Sequence, residues 1–128
     1  MNTKLVKKNA GFSLVEMLVV IAVIGIIAAI AVPNIGRINE AAAQSKDMRN
    51  AQNIASVCAA AAAAGHDFVL GTAALTTAAV VTGATISEAG NPFNGTFFGV
   101  PNLAAAAQTG ANSYLMLSNG MLTYDPQP

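Results

Sequence analysis

The sequence has little cysteine, little charge and few aromatic side chains. It contains one cysteine, no tryptophan and 9% charged residues in a length of 128. One cysteine cannot form a disulfide within the chain. Six basic residues balance six acidic ones, so no basic surface indicates a nucleic-acid partner. The length allows one small domain and one additional segment.

The sequence also lacks the residue combinations that enzymes use. It has no nucleophile–histidine–acid set, no glycine-rich phosphate loop and no pair of cysteines. His66 and Asp67 are adjacent, but no further ligand stands near them to complete a metal site. We therefore expect this pair to lie in a solvent-facing loop, and we predict no catalytic residue, no metal and no cofactor.

One long apolar run dominates the first third of the chain. Between Phe12 and Val32 only Glu16 carries a charge. As a helix, this run would span roughly 31 Å, close to the thickness of the hydrocarbon core of a bilayer. Lys4, Lys7 and Lys8 precede it, which predicts a single membrane pass with a cytoplasmic N-terminus. A carboxylate in such a run requires a partner.

Cleavage after Gly11 would supply that partner. The new α-amine of Phe12 would lie about one helical turn from Glu16 of its own chain, or it could meet Glu16 of a neighbouring chain. Two alternatives remain open. An ordinary signal peptide could be cut before Val32, after Ala29-Ile30-Ala31, or residues 1–11 could stay in place as part of a permanent anchor that presents a binding domain.

The N-terminal residues resemble the start of a type IV pilin or of a type II secretion pseudopilin. The resemblance covers about residues 7–38. It rests on a basic leader followed by Gly11-Phe12, Glu16, Gly25 and Pro33 in register. It implies a structural subunit of a pilus-like filament, either a pseudopilin of a type II secretion system or the major pilin of a type IV pilus. Many type IV pilins close a C-terminal loop with a disulfide, and the single Cys58 therefore favours the pseudopilin.

The resemblance further implies how the chain is processed and assembled. A prepilin peptidase would cut between Gly11 and Phe12 and methylate the Phe12 amine. The subunit would lie in lipid of the bacterial inner membrane and would then polymerise with copies of itself on an inner-membrane assembly platform driven by an ATPase. The product would be a periplasmic pseudopilus or a cell-surface pilus. Gly25 and Pro33 would bound a stretch of helix that melts during this transfer.

The residues beyond Pro33 predict an α+β head. Ile35, Ile38, Ala42, Ser45, Met48, Ala51, Ala55, Cys58 and Ala62 recur at helical spacing, and Gly65 is a helix stop. Residues 12–64 therefore read as one long helix. A short second helix is predicted between Thr72 and Gly83, with Leu75 and Val80 facing the core. Asn119-Gly120 predicts a hairpin whose inner face is Leu115, Leu117, Leu122 and Tyr124.

The composition of residues 96–100 predicts a third strand of the same sheet. The predicted fold is thus a pilin-like lollipop, with a helix over about 12–64 as the stick and a head made of a short helix and a three-stranded antiparallel sheet. The predicted organisation is a cleaved leader at 1–11, a transmembrane or filament-core segment at 12–33 and a soluble head at 34–128.

Overall fold

A computed structural model of the protein describes residues 11–127, so Lys4, Lys7 and Lys8 lie outside the described residues. The chain divides into two compact units, Met1–Glu40 and Ala41–Pro128. The elements in order are α1 (Leu14–Ala63), α2 (Ala73–Thr82), β1 (Ala84–Thr85), β2 (Phe97–Phe98), α3 (Ala105–Asn112), β3 (Leu115–Ser118) and β4 (Met121–Tyr124).

The predicted long helix is confirmed. Helix α1 runs without a break for 50 residues. It ends where glycine permits a left-handed residue: Gly65 has φ +92°, and its N–H donates to the carbonyl of Ala62. The N–H of His66 donates to the carbonyl of Ala61 at 2.8 Å. These two bonds form the Schellman motif that satisfies the last carbonyls of a helix.

The buried stripe of α1 overlaps the predicted one only in part, because Ala51 and Cys58 belong to both and Ile54 and Ala61 do not belong to the predicted one. Ala51, Ile54, Cys58 and Ala61 are buried, whereas Ala62 of the predicted stripe is exposed. Ile35 and Ile38 are also exposed. The part of the chain from residue 51 to 64 is rich in alanine. Because small apolar residues occupy every face of the helix there, the sequence pattern does not show which face is buried.

Helix α2 begins and ends at the predicted caps. The hydroxyl oxygen of Thr72 accepts the backbone N–H of Leu75 at 3.3 Å, and Gly83 terminates the helix with φ +75°. Val80 is fully buried as predicted, but Leu75 is 55% exposed, so that part of the prediction was wrong. Thr76 takes the inner position because its hydroxyl donates to the carbonyl of Thr72 and accepts the N–H of Leu70.

The C-terminal hairpin has the predicted register. Strands β3 and β4 pair Leu115 with Tyr124 and Leu117 with Leu122. Asn119 and Gly120 both have positive φ, as a two-residue type I′ turn requires. The predicted inner face is confirmed, because Leu115 and Leu122 are buried and pack in one core cluster with α1.

The three-stranded sheet was wrong. In the described residues the strands form two separate two-stranded sheets, and Phe97–Phe98 pairs with Ala84–Thr85 instead of joining the hairpin. The residues before and after this pairing are tied together as well, because Ile86 donates its N–H to the carbonyl of Thr96. The pairing partner of a two-residue strand is set by contacts across the chain, which local composition does not encode.

Helix α3 was not predicted. It has no side-chain cap at Ala104, and it contains Gly110. That glycine has a packing reason: a Cβ built there would overlap the carboxylate of Asp47 on α1. The α3 backbone therefore lies close against α1, and Ala111 next to it is fully buried.

Candidate functional site

The predicted cleavage point lies just before the first helix. Gly11, Phe12 and Ser13 are not helical, and α1 begins at Leu14. The side chain of Phe12 is 82% exposed. A Cβ built at Gly11 would meet no atom within 4 Å among the described residues, so the structure leaves open space around this residue. The bond between Gly11 and Phe12 is thus exposed backbone outside regular structure.

Glu16 is bound to the start of its own helix. Its Oε2 accepts the backbone N–H of Ser13 at 2.8 Å. This is the carboxylate half of a capping box, in which an acid three residues into a helix bonds to the backbone of the capping residue. The negative charge also lies in the first turn, where the helix dipole favours an anion. Glu16 therefore has a backbone partner while residues 11 and 12 are still joined.

Ser13 was not among the predicted site residues. The spacing Ser13-x-x-Glu16 is the sequence signature of a capping box and could have indicated it. The predicted pairing of Glu16 with a free Phe12 amine concerns the cleaved chain and stays a prediction.

Large apolar side chains are exposed at Phe12 and along the first part of α1, from Leu14 to Ile38. Their exposed fractions run from 45% at Met17 to 82% at Phe12. The most apolar 18-residue window of α1 is 0% buried, and the helix is long and apolar enough to cross a membrane. A continuous apolar surface of this kind indicates a segment that is covered by lipid or by other protein chains.

Gly25 and Pro33 lie inside α1 and do not interrupt it. Pro33 has no N–H, so the carbonyl four residues earlier, at Ala29, cannot form its usual helical bond. A Cβ built at Gly25 would meet nothing within 4 Å. No described residue of the chain therefore requires a glycine at this position. The predicted role of Gly25 and Pro33 in helix melting stays a prediction.

The His66-Asp67 pair shapes a loop, as predicted. Asp67 Oδ1 accepts the backbone N–H of Val69 at 2.8 Å, and the His66 ring packs edge-on against Phe68 with 4.6 Å between centroids. Within residues 11–127, no three His, Cys, Asp or Glu side chains cluster as metal ligands would.

Cys58 is a buried core residue. It is 4% exposed and belongs to the cluster that joins α1 to the hairpin. Burial raises the pKa of the Cys58 thiol and the charge of Asp67 raises it further, while a hydrogen bond with the Leu122 backbone acts in the opposite direction. The thiol therefore stays protonated and unreactive at neutral pH.

Comparison with known proteins identifies the N-terminal segment. Residues 6–32 match a family model described as the prokaryotic N-terminal methylation motif. No curated protein and no solved structure matches the chain. The match includes Gly11, Phe12 and Glu16. The matched residues extend into the long helix α1, and a small head with short antiparallel sheets follows in the chain. The chain therefore carries a prokaryotic N-terminal methylation motif at the start of a long apolar helix.

Proposed function

We propose that the protein is a structural subunit of a type IV pilus-like filament and that it polymerises through the first part of α1. The exposed apolar surface from Phe12 to Ile38 carries this proposal. Full burial of one large apolar side chain is worth about 1.5–3 kcal/mol, so this surface strongly favours an apolar environment. Lipid of the bacterial inner membrane provides that environment first, and the helices of other subunits provide it after assembly.

The exposed bond between Gly11 and Phe12 is the proposed processing site. A peptidase binds its substrate as extended backbone, and residues 11–13 precede the helix. We expect a prepilin peptidase to cut this bond and to methylate the Phe12 amine. Lys4, Lys7 and Lys8 of the leader would hold the N-terminus on the cytoplasmic side.

Glu16 is the proposed assembly residue. Its Oε2 is engaged by Ser13 in the described structure, and a carboxylate can accept several hydrogen bonds with its two oxygens. After cleavage, the Phe12 amine of an adjacent subunit supplies a cation for the same carboxylate. A buried charge of this kind is stable in an apolar core only when it is paired.

Gly25 and Pro33 give α1 two weak points within the apolar segment. A glycine lowers helix propensity by about 1 kcal/mol relative to alanine, and a proline removes one helical hydrogen bond. We propose that the helix between them melts as subunits leave the membrane on an ATPase-driven assembly platform.

Within this class we propose a pseudopilin of a type II secretion system. The support is the buried, single Cys58, which cannot close the disulfide loop of many type IV pilins, together with a small head. The experiment is to delete the gene in its native host and to measure both protein secretion and surface pili. Loss of secretion with intact surface pili supports the pseudopilin. Loss of pili with intact secretion indicates a major pilin, and a host that keeps both argues against a filament subunit.

A further inference from the structure

The head carries an apolar groove that the chain itself leaves open. The groove has a volume of about 480 Å³ and lies between α2 and the loop that follows α1. Leu70 and Leu75 line it and are 56% and 55% exposed. Asp67 stands at its margin with an exposed carboxylate. The ring of His66 lines the groove as well. The groove therefore combines apolar walls with one carboxylate and one imidazole ring.

The charges of the head are separated along α1. Residues 41–128 contain two basic residues, Lys46 and Arg49, which are both exposed on α1 and lie three positions apart, on one face of the helix. Asp47 between them is half-buried, and its carboxylate lies against Gly110 of α3, on the inner side of the helix. The exposed surface at residues 46–49 is therefore basic.

The other end of the helical part of the head is acidic. The last turn of α1 has no basic residue, so the negative end of the helix dipole is not compensated there. Asp67 and Glu88 are both exposed beyond that end, and the loop that holds Glu88 is attached to it by a bond from Asn91 Nδ2 to the carbonyl of Ala64. Residues 46 and 63 are separated by roughly 26 Å of helix, which makes the head electrically asymmetric along α1.

We propose that the groove binds the basic face of α1 of a second copy of this chain, at Lys46 and Arg49. The inference rests on the proposed function. Subunits that all point the same way in a filament form heterologous interfaces, in which two different surfaces of the subunit meet. The acidic end of one head can therefore face the basic part of its neighbour. The aliphatic stems of Lys46 and Arg49 cover Leu70 and Leu75, while their charged ends reach Asp67. A neutral or acidic partner would leave Asp67 without a counter-charge.

The test uses full-length subunits assembled in cells, with filament yield as the readout. Asp67→Asn keeps the oxygen that accepts the Val69 N–H but removes the charge, and Leu75→Lys places a positive charge on the groove wall that repels Lys46 and Arg49 of the partner copy. We expect each to lower the yield by about tenfold or more, the effect of losing a contact at the centre of an interface. Met116→Lys is the matched control, because Met116 is 52% exposed and does not line the groove. It should assemble as the wild type does.

Charge reversal makes the test specific for the partner. Asp67→Lys alone and Arg49→Asp alone should each reduce assembly, and the two together should restore it to within about twofold of the wild type, since the pair is then reversed. In a Cys58→Ala background, Leu70→Cys together with Asn53→Cys should give a ladder of cross-linked subunits on oxidation. Asn53 is exposed one turn beyond Arg49 on the same face.

Each contrary result has a definite meaning. Wild-type filaments with unimpaired Asp67→Asn and Leu75→Lys variants would overturn this interface alone. Equal loss in Met116→Lys, or cross-links only to a different protein, would do the same. Absence of wild-type filaments would overturn the proposed function and this interface together.

Discussion

The carboxylate of Glu16 accepts the backbone N–H of Ser13 at 2.8 Å, so the charge in the apolar segment has a partner before any cleavage. This bond fixes the first turn of α1 next to the bond between Gly11 and Phe12. The same carboxylate would receive the Phe12 amine after cleavage. The helix cap and the proposed assembly contact therefore use the same side chain. Substitutions that keep one of the two interactions can separate these roles.

The first prediction concerns the charge of Glu16. Glu16→Gln keeps an oxygen that can accept the Ser13 N–H, whereas Glu16→Ala removes both the bond and the charge. Both variants should be inserted in the membrane, and both should fail to assemble, because neither can pair with an amine. Sheared filaments are quantified by immunoblot. Normal filament abundance in either variant would disprove the pairing.

The second prediction concerns the residue before the cleavage point. Gly11→Val should block processing, because we expect the peptidase to require a small residue before the cut. The chain itself leaves open space around Gly11, so the substitution should not disturb the described structure. The unprocessed chain is larger by the mass of residues 1–11, which intact-mass measurement detects. Asn9→Val changes a nearby leader residue and serves as the control. A fully processed Gly11→Val chain would count against this cleavage site.

The third prediction concerns the core of the head. Ile54 is fully buried on α1, so Ile54→Ala should lower the free energy of unfolding by about 2–5 kcal/mol. Leu75 is 55% exposed, and Leu75→Ala should cost well under half of that. Thermal unfolding of both chains in detergent, followed by circular dichroism, measures the difference. Equal effects would mean that Leu75 is a core residue after all.

The fourth prediction compares two glycines, Gly83 and Gly90, which both have positive φ but differ in the space around them. Gly83 has φ +75° and ψ +167°, a region that is essentially restricted to glycine, and a Cβ there would overlap the ring of Phe97. Gly90 also has positive φ, but a Cβ there would meet nothing. Gly83→Ala should therefore destabilise the head more than Gly90→Ala does, by about 1 kcal/mol or more. Similar melting temperatures for the two variants would contradict the contact with Phe97.

The fifth prediction concerns Cys58 and pH. Burial raises the pKa of its thiol, so the folded chain holds this proton more tightly than the unfolded chain does. This contribution to stability is present below the ordinary thiol pKa, about 8.5, and is lost as the pH rises above it. Cys58→Ala should flatten that part of the stability curve. Alkylation at pH 8 should be fast in denaturant and slow in the folded chain, and fast labelling of the folded chain would show an accessible thiol.

Local signals predicted the parts of the fold that are set by neighbouring residues. Thr72 and Gly83 gave the limits of α2, and Asn119-Gly120 gave the register of the hairpin, because caps and tight turns act within a few residues. The pairing of Phe97–Phe98 with Ala84–Thr85 was missed because it depends on contacts between distant segments. Helix α3 was missed because it has no capping side chain.

The candidate site shows the same division. Glu16 could be identified from charge and hydropathy, and the junction after Gly11 was predicted with the help of the family resemblance. The spacing Ser13-x-x-Glu16 could have indicated the capping bond that the structure shows, but it was not used. The groove at Leu70 and Leu75 could not be predicted at all. Both leucines fit a helical or apolar pattern that normally indicates a core, and only the packing of the head shows that they are exposed.

The most direct test is mass spectrometry of the N-terminal peptide of the mature protein, taken from membranes and from sheared filaments of the native host. The account predicts a chain that begins at Phe12 and carries one methyl group on its α-amine in both fractions. A mature chain that begins at Met1 or at Val32 would contradict it, because neither chain would bring a Phe12 amine to Glu16.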